Sequence, residues 1–336
     1  MIKILIFLFT VFLPTTFLSA EQHYPEYFHG AIVPLVTPYQ LEEGHPIDLT
    51  AFRELVEFAC QTNLSAIFSV SGIGQWDKLS IQEKKELISA SVEIAAKRKP
   101  ILAGVGSTKN TNEVVELAKY AEQAGVEALV VITPSFIREM QPEINGRRLI
   151  LDQELIYDYF QTVCSQINCD IVLYDRWVEI KPATLSKLLS NFPNIKAIKI
   201  TEDKDLEHFS KMSQAAAGRC AILAGFETIA VGAFQHGAVG LLAGGANVYP
   251  DLLAELVDHC LSNNWDAAAQ LQEQVCLSWQ MICTMNHWGP AIKKVLNEVI
   301  GINMHEVDRG EVFVEGSSDL ALEYFQRDRY TSKFCH

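Results

Sequence analysis

Residues 195–201 read Ile-Lys-Ala-Ile-Lys-Ile-Thr, a short, apolar and β-branched run that lies between Pro193-Asn194 and an acidic stretch. This composition predicts a buried strand. Side chains alternate between the two faces of a strand, so Lys199 shares a face with Ile195 and Ala197 and lies near the carboxyl end. Parallel α/β proteins place their chemistry at that end, and a desolvated lysine there becomes an amine that attacks a ketone. Alternatively, the side chain extends its ammonium to water. The run by itself leaves both interpretations open.

The same alternation of strand and helix recurs on both sides of this run. Strand-like segments begin near Ala31, Ala66, Ile101, Ala128, Asp170, Ile195, Ala221 and Val239. Segments with helical spacing lie between them, at 49–60, 81–97, 111–124, 153–167, 182–190, 205–217 and 229–236. Eight strands alternating with helices predict an α/β fold, a (β/α)8 TIM barrel over residues 28–250. An open doubly wound sheet is the alternative, but it usually has fewer strands and a glycine fingerprint after the first, which this chain lacks.

Helical patterns continue after the eighth strand, at 250–261, 265–285 and 290–298. They predict a C-terminal helical extension, residues 251–302, that packs outside the barrel. Residues 303–336 are polar, and we expect them to form a loosely held tail.

The first twenty residues differ in composition from the rest of the chain. Lys3 precedes an apolar run from Ile4 to Leu13, and small residues around Ser19-Ala20 follow Pro14. This order predicts a signal peptide at residues 1–20, cleaved after Ala20, and hence an exported protein, periplasmic or secreted. A membrane anchor is the alternative, but the apolar run is too short to span a bilayer.

Composition excludes several classes of function. The net charge is −14 and the pI is about 5.1, without a cluster of basic residues, so we expect no nucleic-acid partner. The eight cysteines and nine histidines are dispersed without the spacing of a metal site, and we expect neither a metal nor a resident cofactor. Most of the cysteines are expected to be buried thiols, although an oxidising compartment would permit one disulfide.

The strand ends carry the residues that could perform chemistry. After the second strand comes Ser71-Gly72-Ile73-Gly74, whose backbone N–H groups could hold an anion. After the fifth comes Tyr174-Asp175-Arg176, in which the tyrosine could move a proton and the arginine could hold a carboxylate. A core aromatic is the alternative for Tyr174.

Taken together, these motifs resemble the dihydrodipicolinate synthase / N-acetylneuraminate lyase family of Schiff-base-forming barrel enzymes, over roughly residues 29–300. The motifs are the turn at 71–75, Leu102–Ser107, Thr133-Pro134, Leu173–Asp175, Ile198-Lys199, Ala224-Gly225, Gly237–Gly240 and Ala246–Pro250. The resemblance implies that Lys199 forms an imine with a 2-keto acid, usually pyruvate, and that Tyr174 relays protons. It also implies that the backbone at Gly72 and Ile73 holds the carboxylate, that Gly225 and Asn247 belong to the substrate site, and that the chain forms a dimer or tetramer.

The chain departs from the synthase pattern at the turn Ser71–Gln75, which lacks both threonine hydroxyls, and at Phe136, which replaces a cross-subunit tyrosine. The 5-dehydro-4-deoxyglucarate dehydratases resemble it more closely, through Tyr174-Asp175-Arg176, Pro182–Leu185 and Pro193-Asn194. Residues 200–202, Ile-Thr-Glu, differ from that branch, and Ile73 and Gln75 replace its threonine and its glutamate at the turn. The predicted function is therefore a lyase acting on a 2-keto acid, of dehydratase or pyruvate-aldolase type. The alternative is an exported barrel that binds a keto acid or sugar acid without turning it over.

Overall fold

The computed structural model describes residues 23–134, 153–176, 178–201, 206–285, 287–310 and 318–331, together with the backbone of a short antiparallel ribbon, Glu143–Ile144 with Arg147–Arg148. Eight parallel strands close into a barrel. They are β1 (Ala31–Pro34), β2 (Ala66–Ser69), β3 (Ile101–Gly104), β4 (Ala128–Ile132), β5 (Asp170–Asp175), β6 (Ile195–Ile200), β7 (Ala221–Ala224) and β8 (Gly240–Leu242). The predicted (β/α)8 barrel is confirmed.

Closure of the barrel follows from pairing of the first strand with the last. Ala31 of β1 lies opposite Leu241 of β8. Each of the remaining strands pairs in parallel with the strands before and after it in the chain. The strand residues are almost all buried, because the barrel interior covers one face and the helices cover the other. Parallel closure directs all eight carboxyl ends toward one mouth.

The helices that follow the strands form the outer layer. They are α1 (Leu49–Cys60), α2 (Ile81–Ala95), α3 (Thr111–Ala124), α4 (Gln153–Cys164), α5 (Pro182–Asn191), α6 (Leu206–Ala216) and α7 (Ala230–Gln235). Their starts are specified locally. For example, Ser80 and Glu83 form a reciprocal capping box at the start of α2, and the Asp48 carboxylate accepts a hydrogen bond from the Ala51 N–H at the start of α1.

Helices also follow the barrel, as α8 (Pro250–Leu261), α9 (Trp265–Thr284), α10 (Trp288–Val295) with a π-helical turn at Leu296–Ile300, and α11 (Ser318–Arg327). The last of these differs from the expected loose tail. Phe325 is fully buried and stacks on Tyr249, with ring centroids 6.3 Å apart. The polar composition concealed this buried face, because Ala321, Leu322 and Phe325 are buried and Tyr324 is half-buried, while most of the exposed side chains of the helix are charged or polar.

Several other predictions concern residues that the structure describes only in part. Residues 1–20, Phe136 and Cys335 lie outside the described residues. The described chain has no helix long and apolar enough to cross a membrane, and no group of side chains there could hold a metal ion. The seven cysteines within it are free thiols.

Candidate active site

Lys199 lies inside the barrel mouth. It is the fifth residue of β6, opposite Tyr174 of β5 on one side and Leu223 of β7 on the other. Only 6% of it is exposed, so the side chain does not extend to bulk water. Burial lowers the pKa of the Lys199 ammonium, and the neighbouring Tyr174 opposes that effect without cancelling it. The result is an amine that gives up its proton more readily than an ordinary lysine.

Tyr174 is a close polar neighbour of this amine. The Lys199 Nζ lies 4.4 Å from the centroid of the Tyr174 ring, and the Arg176 Nη1 donates a 3.5 Å hydrogen bond to the Tyr174 hydroxyl. Burial alone would raise the pKa of the phenol, but the charges of Lys199 and Arg176 outweigh it and lower the pKa. A buried phenol with a lowered pKa beside an amine is suited to proton transfer.

A cavity of about 410 Å³ opens above these side chains. Lys199, Tyr174, Arg176, Gly72, Ile73 and Gly225 all line it, so the structure brings six of the predicted site residues together. Gly225 must be a glycine, because a Cβ there would lie 2.7 Å from the Ile200 carbonyl oxygen and 3.0 Å from Cε of Lys199.

Asn247 is the one predicted site residue that does not line this cavity. Its Nδ2 donates hydrogen bonds of 2.8 Å to the Pro34 carbonyl and 2.9 Å to the Gly244 carbonyl, and its Oδ1 accepts one of 3.3 Å from the Val36 N–H. The buried amide therefore joins the segment after β8 to β1. This gives Asn247 a structural position beneath the site.

The glycine turn after β2 is held rigidly from below. The Ser71 hydroxyl donates to the Leu35 carbonyl at 2.8 Å and accepts from the Gly74 N–H, while the Thr37 hydroxyl donates to the Gly74 carbonyl at 2.6 Å. Within the described part of the chain, the N–H groups of Gly72 and Ile73 make no hydrogen bond. Two adjacent donors at a cavity wall form a small anion-binding nest.

Strain accompanies this turn. Val70, immediately before it, has φ +57°, a left-handed conformation that a β-branched residue rarely adopts. Its carbonyl fills the position that a Cβ on Gly104 would occupy, at 2.0 Å. Such a conformation costs about 1–3 kcal/mol and is typical of functional sites.

Sequence reasoning missed several residues of the cavity. Glu227 lines it, is 2% exposed, and accepts a 2.8 Å hydrogen bond from the Gly245 N–H and a 3.4 Å bond from the Tyr249 hydroxyl. Burial raises the pKa of this carboxyl group. Trp279 of α9 and Trp288 of α10 also line the cavity. The spacing of residues along the chain does not predict that Glu227, Trp279 or Trp288 lies at the cavity. The one sequence signal is that Glu227 follows Gly225 by two residues.

The chain is similar to known proteins both in sequence and in fold. The model of the "Dihydrodipicolinate synthetase family" matches residues 27–310. A 4-hydroxy-tetrahydrodipicolinate synthase of Brucella abortus is 30% identical over 250 residues, which cover 73% of this chain and 80% of the relative.

Two solved structures show the same fold. The dihydrodipicolinate synthase of Aquifex aeolicus superposes with a TM-score of 0.77 at 24% identity, over 89% of this chain and 97% of the other. The chloride-inhibited dihydrodipicolinate synthase of Acinetobacter baumannii, complexed with pyruvate, gives a TM-score of 0.72 at 24% identity, over 88% and 96%.

Proposed function

Because this chain belongs to the dihydrodipicolinate synthetase family and is an enzyme of lyase type, we propose that Lys199 forms an imine with a 2-keto acid such as pyruvate. The observation that carries the proposal is the buried amine of Lys199, held beside the Tyr174 phenol in a cavity with two unused N–H donors. A solved relative of the same fold is complexed with pyruvate, which supports the choice of keto acid.

The first step is attack of the neutral Lys199 Nζ on the keto carbon. The carbonyl oxygen takes up a proton, and the resulting hydroxyl leaves as water after a second protonation, which gives the protonated imine. Tyr174 is the group placed to transfer these protons. The N–H groups of Gly72 and Ile73 hold the substrate carboxylate and orient the keto carbon toward Nζ.

The second step withdraws electrons into the protonated imine. Loss of a proton from the adjacent carbon forms an enamine, whose nucleophilic carbon makes a C–C bond to an aldehyde; the reverse sequence breaks that bond. We therefore propose an aldolase-type reaction.

A dehydratase of the 5-dehydro-4-deoxyglucarate type is the second candidate. The motif Tyr174-Asp175-Arg176 favours it, since Arg176 lines the cavity and could hold the distal carboxylate of a sugar acid. The curated relative bears a synthase name, which does not add support for this branch. Assay of 5-dehydro-4-deoxyglucarate beside aldol substrates separates the two candidates.

Borohydride trapping tests the imine directly. Reduction in the presence of pyruvate should leave one N6-(1-carboxyethyl) adduct, a secondary amine, on Lys199, located by peptide mass spectrometry. Lys84 is a matched internal control, because it is also buried and burial lowers its pKa to about 8. It differs from Lys199 in that its Nζ donates to the Gly106 carbonyl at 2.9 Å and it does not line the cavity. Absence of an adduct on Lys199, or an equal adduct on Lys84, contradicts the proposal. Saturable calorimetric binding of pyruvate without any adduct would instead favour the non-catalytic binding barrel.

We also propose that the enzyme acts outside the cytoplasm as a homo-oligomer, without nucleic acid or a stable membrane anchor. The basic, apolar and small-residue order of residues 1–20 supports export, and the resemblance of the sequence motifs to a family of oligomeric enzymes supports assembly.

A further inference from the structure

One wall of the cavity consists of large apolar side chains. Ile73 and Trp76 come from the turn after β2, Phe226 follows β7, Leu242 ends β8, and Trp279 and Trp288 come from the C-terminal helices. Three of these are tryptophans, one from the turn after β2 and one each from α9 and α10. Aromatic side chains that line a cavity together offer it an apolar surface, which suits rings better than polyols.

Packing holds this wall in place before any ligand binds. A Cβ on Gly244 would lie 2.6 Å from Cδ1 of Ile73 and 3.4 Å from Cη2 of Trp279, so both side chains close on the same backbone position. Trp76 is 7% exposed, lies under the Lys84 ammonium at 5.0 Å, and contacts Gly106 so closely that a Cβ there would be 2.7 Å from its ring. The apolar surface is therefore preformed.

The polar side chains along the cavity are mostly engaged with the protein itself. The Gln75 amide donates to and accepts from the backbone of Arg309, and Glu227 accepts bonds from Gly245 and Tyr249. Asp77 and Lys78 lie 3.9 Å from each other and are about half exposed. A substrate chain carrying several hydroxyls would leave some of them unpaired against this wall, at about 1–3 kcal/mol each.

We propose that the second substrate is an aromatic aldehyde, whose ring lies against Trp279 and Trp288 while pyruvate is held on Lys199. This inference rests on the proposed imine chemistry. The enamine carbon attacks the aldehyde carbon, one C–C bond forms, and the aldehyde oxygen takes up a proton. Water then hydrolyses the imine and frees Lys199, releasing a 4-aryl-4-hydroxy-2-oxobutanoate; the reverse reaction cleaves that acid to pyruvate and the aldehyde. The cavity, at about 410 Å³, is in the size range of small-molecule sites.

The test compares benzaldehyde with glyceraldehyde, each supplied with pyruvate to the full-length enzyme, with products quantified by mass spectrometry. We expect kcat/KM to favour benzaldehyde at least ~10-fold, a ratio that apolar contacts of this kind can supply. Trp279→Ala and Trp288→Ala should each lower that ratio ~10-fold. Trp288 is 39% exposed, so its variant is the less disruptive to folding.

Trp265→Ala is the matched control, because Trp265 is a half-buried tryptophan of the same helix as Trp279 and does not line the cavity. It should leave the ratio unchanged. If pyruvate is trapped on Lys199 but the enzyme prefers glyceraldehyde, or if neither tryptophan variant changes the ratio, the inference is wrong while the imine stands. If no imine forms, the proposed function is wrong, and calorimetry decides the inference: tighter binding of phenylpyruvate than of gluconate supports the aromatic site, and the opposite order overturns it.

Discussion

Lys199 and Tyr174 control one another's protonation, because they occupy paired positions on β6 and β5. Burial lowers the pKa of Lys199, and the phenol raises it again in part, while the cationic neighbours lower the pKa of the phenol. The pKa of the Lys199 amine is therefore lowered by burial, but Tyr174 keeps it from falling as far as burial alone would bring it. Replacement of Tyr174 should therefore have two distinct effects, one on proton relay and one on the pKa of Lys199.

Tyr174→Phe tests both effects. Imine formation needs the neutral amine, so its rate rises with pH through the pKa of Lys199. Without the phenol the pKa of Lys199 loses a contribution that raises it, and the midpoint of this rise should move to lower pH than in the wild type. Turnover should nevertheless fall ~100-fold or more, because the proton relay is gone. Borohydride trapping at a series of pH values and steady-state assays measure the two quantities.

Tyr159→Phe serves as the control for that experiment. Tyr159 is also buried, and its hydroxyl donates to the Ile132 carbonyl at 3.1 Å from α4. Its loss should leave the midpoint where it is in the wild type. A midpoint that rises in Tyr174→Phe, or full turnover in that variant, would mean that the tyrosine has a different role.

Residues 302–310 hold the glycine turn from the C-terminal side. The Arg309 N–H donates to Oε1 of Gln75 at 2.9 Å, and its guanidinium donates to both carboxylate oxygens of Glu83, at 3.1 and 2.5 Å. Beneath this segment, Lys293 and Asp308 form a fully buried ion pair. Gln75 itself has φ +56°, so its backbone depends on these contacts to stay in the left-handed region.

Arg309→Met removes the ion pair while keeping the backbone contacts to Gln75. Partial burial opposes ionisation of Glu83, but hydrogen bonds from Arg309 and Ser80 outweigh it and lower the pKa to about 2, from an ordinary value of 4.5. A lowered carboxyl pKa stabilises the fold fully above pH 4.5, and this stabilisation is lost as the pH falls toward 2. The variant should therefore lose about 1–3 kcal/mol in free energy of unfolding at neutral pH, and less in acid. Urea unfolding at pH 7 and pH 3 measures the difference.

Arg327→Met is the control for the ion pair. Arg327 is 81% exposed and lies 3.5 Å from Glu323 on the surface of α11, so its loss should change stability by no more than a few tenths of a kcal/mol. An equal loss in the Arg309 variant at both pH values would show that the charge of Glu83 is not what Arg309 stabilises.

Across the whole molecule, the C-terminal chain is part of the active-site architecture. Phe325 of α11 packs on Tyr249, whose hydroxyl donates to Glu227 at the cavity. Asp328 then accepts the N–H groups of Tyr330 and Thr331 in the turn after α11, and its other oxygen accepts a 2.7 Å bond from the Gln274 amide of α9. The apolar wall likewise depends on α9 and α10. The candidate active-site cavity is therefore built by the barrel and its extension together.

One preparation tests the proposed export and the proposed assembly together. Protein from the native cell should begin at Glu21 by N-terminal sequencing, since the apolar run before it has the order of a cleaved leader. The same sample should sediment as a dimer or tetramer in analytical ultracentrifugation. An intact Met1 on a cytoplasmic protein would contradict export, and a monomer at micromolar concentration would contradict assembly; each result stands independently of the other.

The sequence by itself determined the architecture and the reactive pair. Apolar β-branched runs such as residues 195–200 and capping sequences such as Ser80–Glu83 act over a few residues, so their periods are visible along the chain. Eight such apolar strands in alternation with helices predict a closed barrel. Closure then places the carboxyl ends of all the strands at one mouth. Lys199, Tyr174, Arg176 and Gly72 could therefore be placed at one mouth from the sequence, and the family resemblance added Gly225.

Tertiary structure alone decided the shape and chemistry of the rest of the cavity. Gln75 and Arg309 are 234 residues apart, and Ile73 and Trp279, from the turn after β2 and from α9, both approach the backbone at Gly244. Asn247 lies in a motif beside the site, yet its amide is used by the backbone of Pro34 and Gly244. Contacts of this kind depend on how whole elements pack, and packing between distant residues leaves no period in the sequence, because any residue of suitable size and polarity can satisfy it.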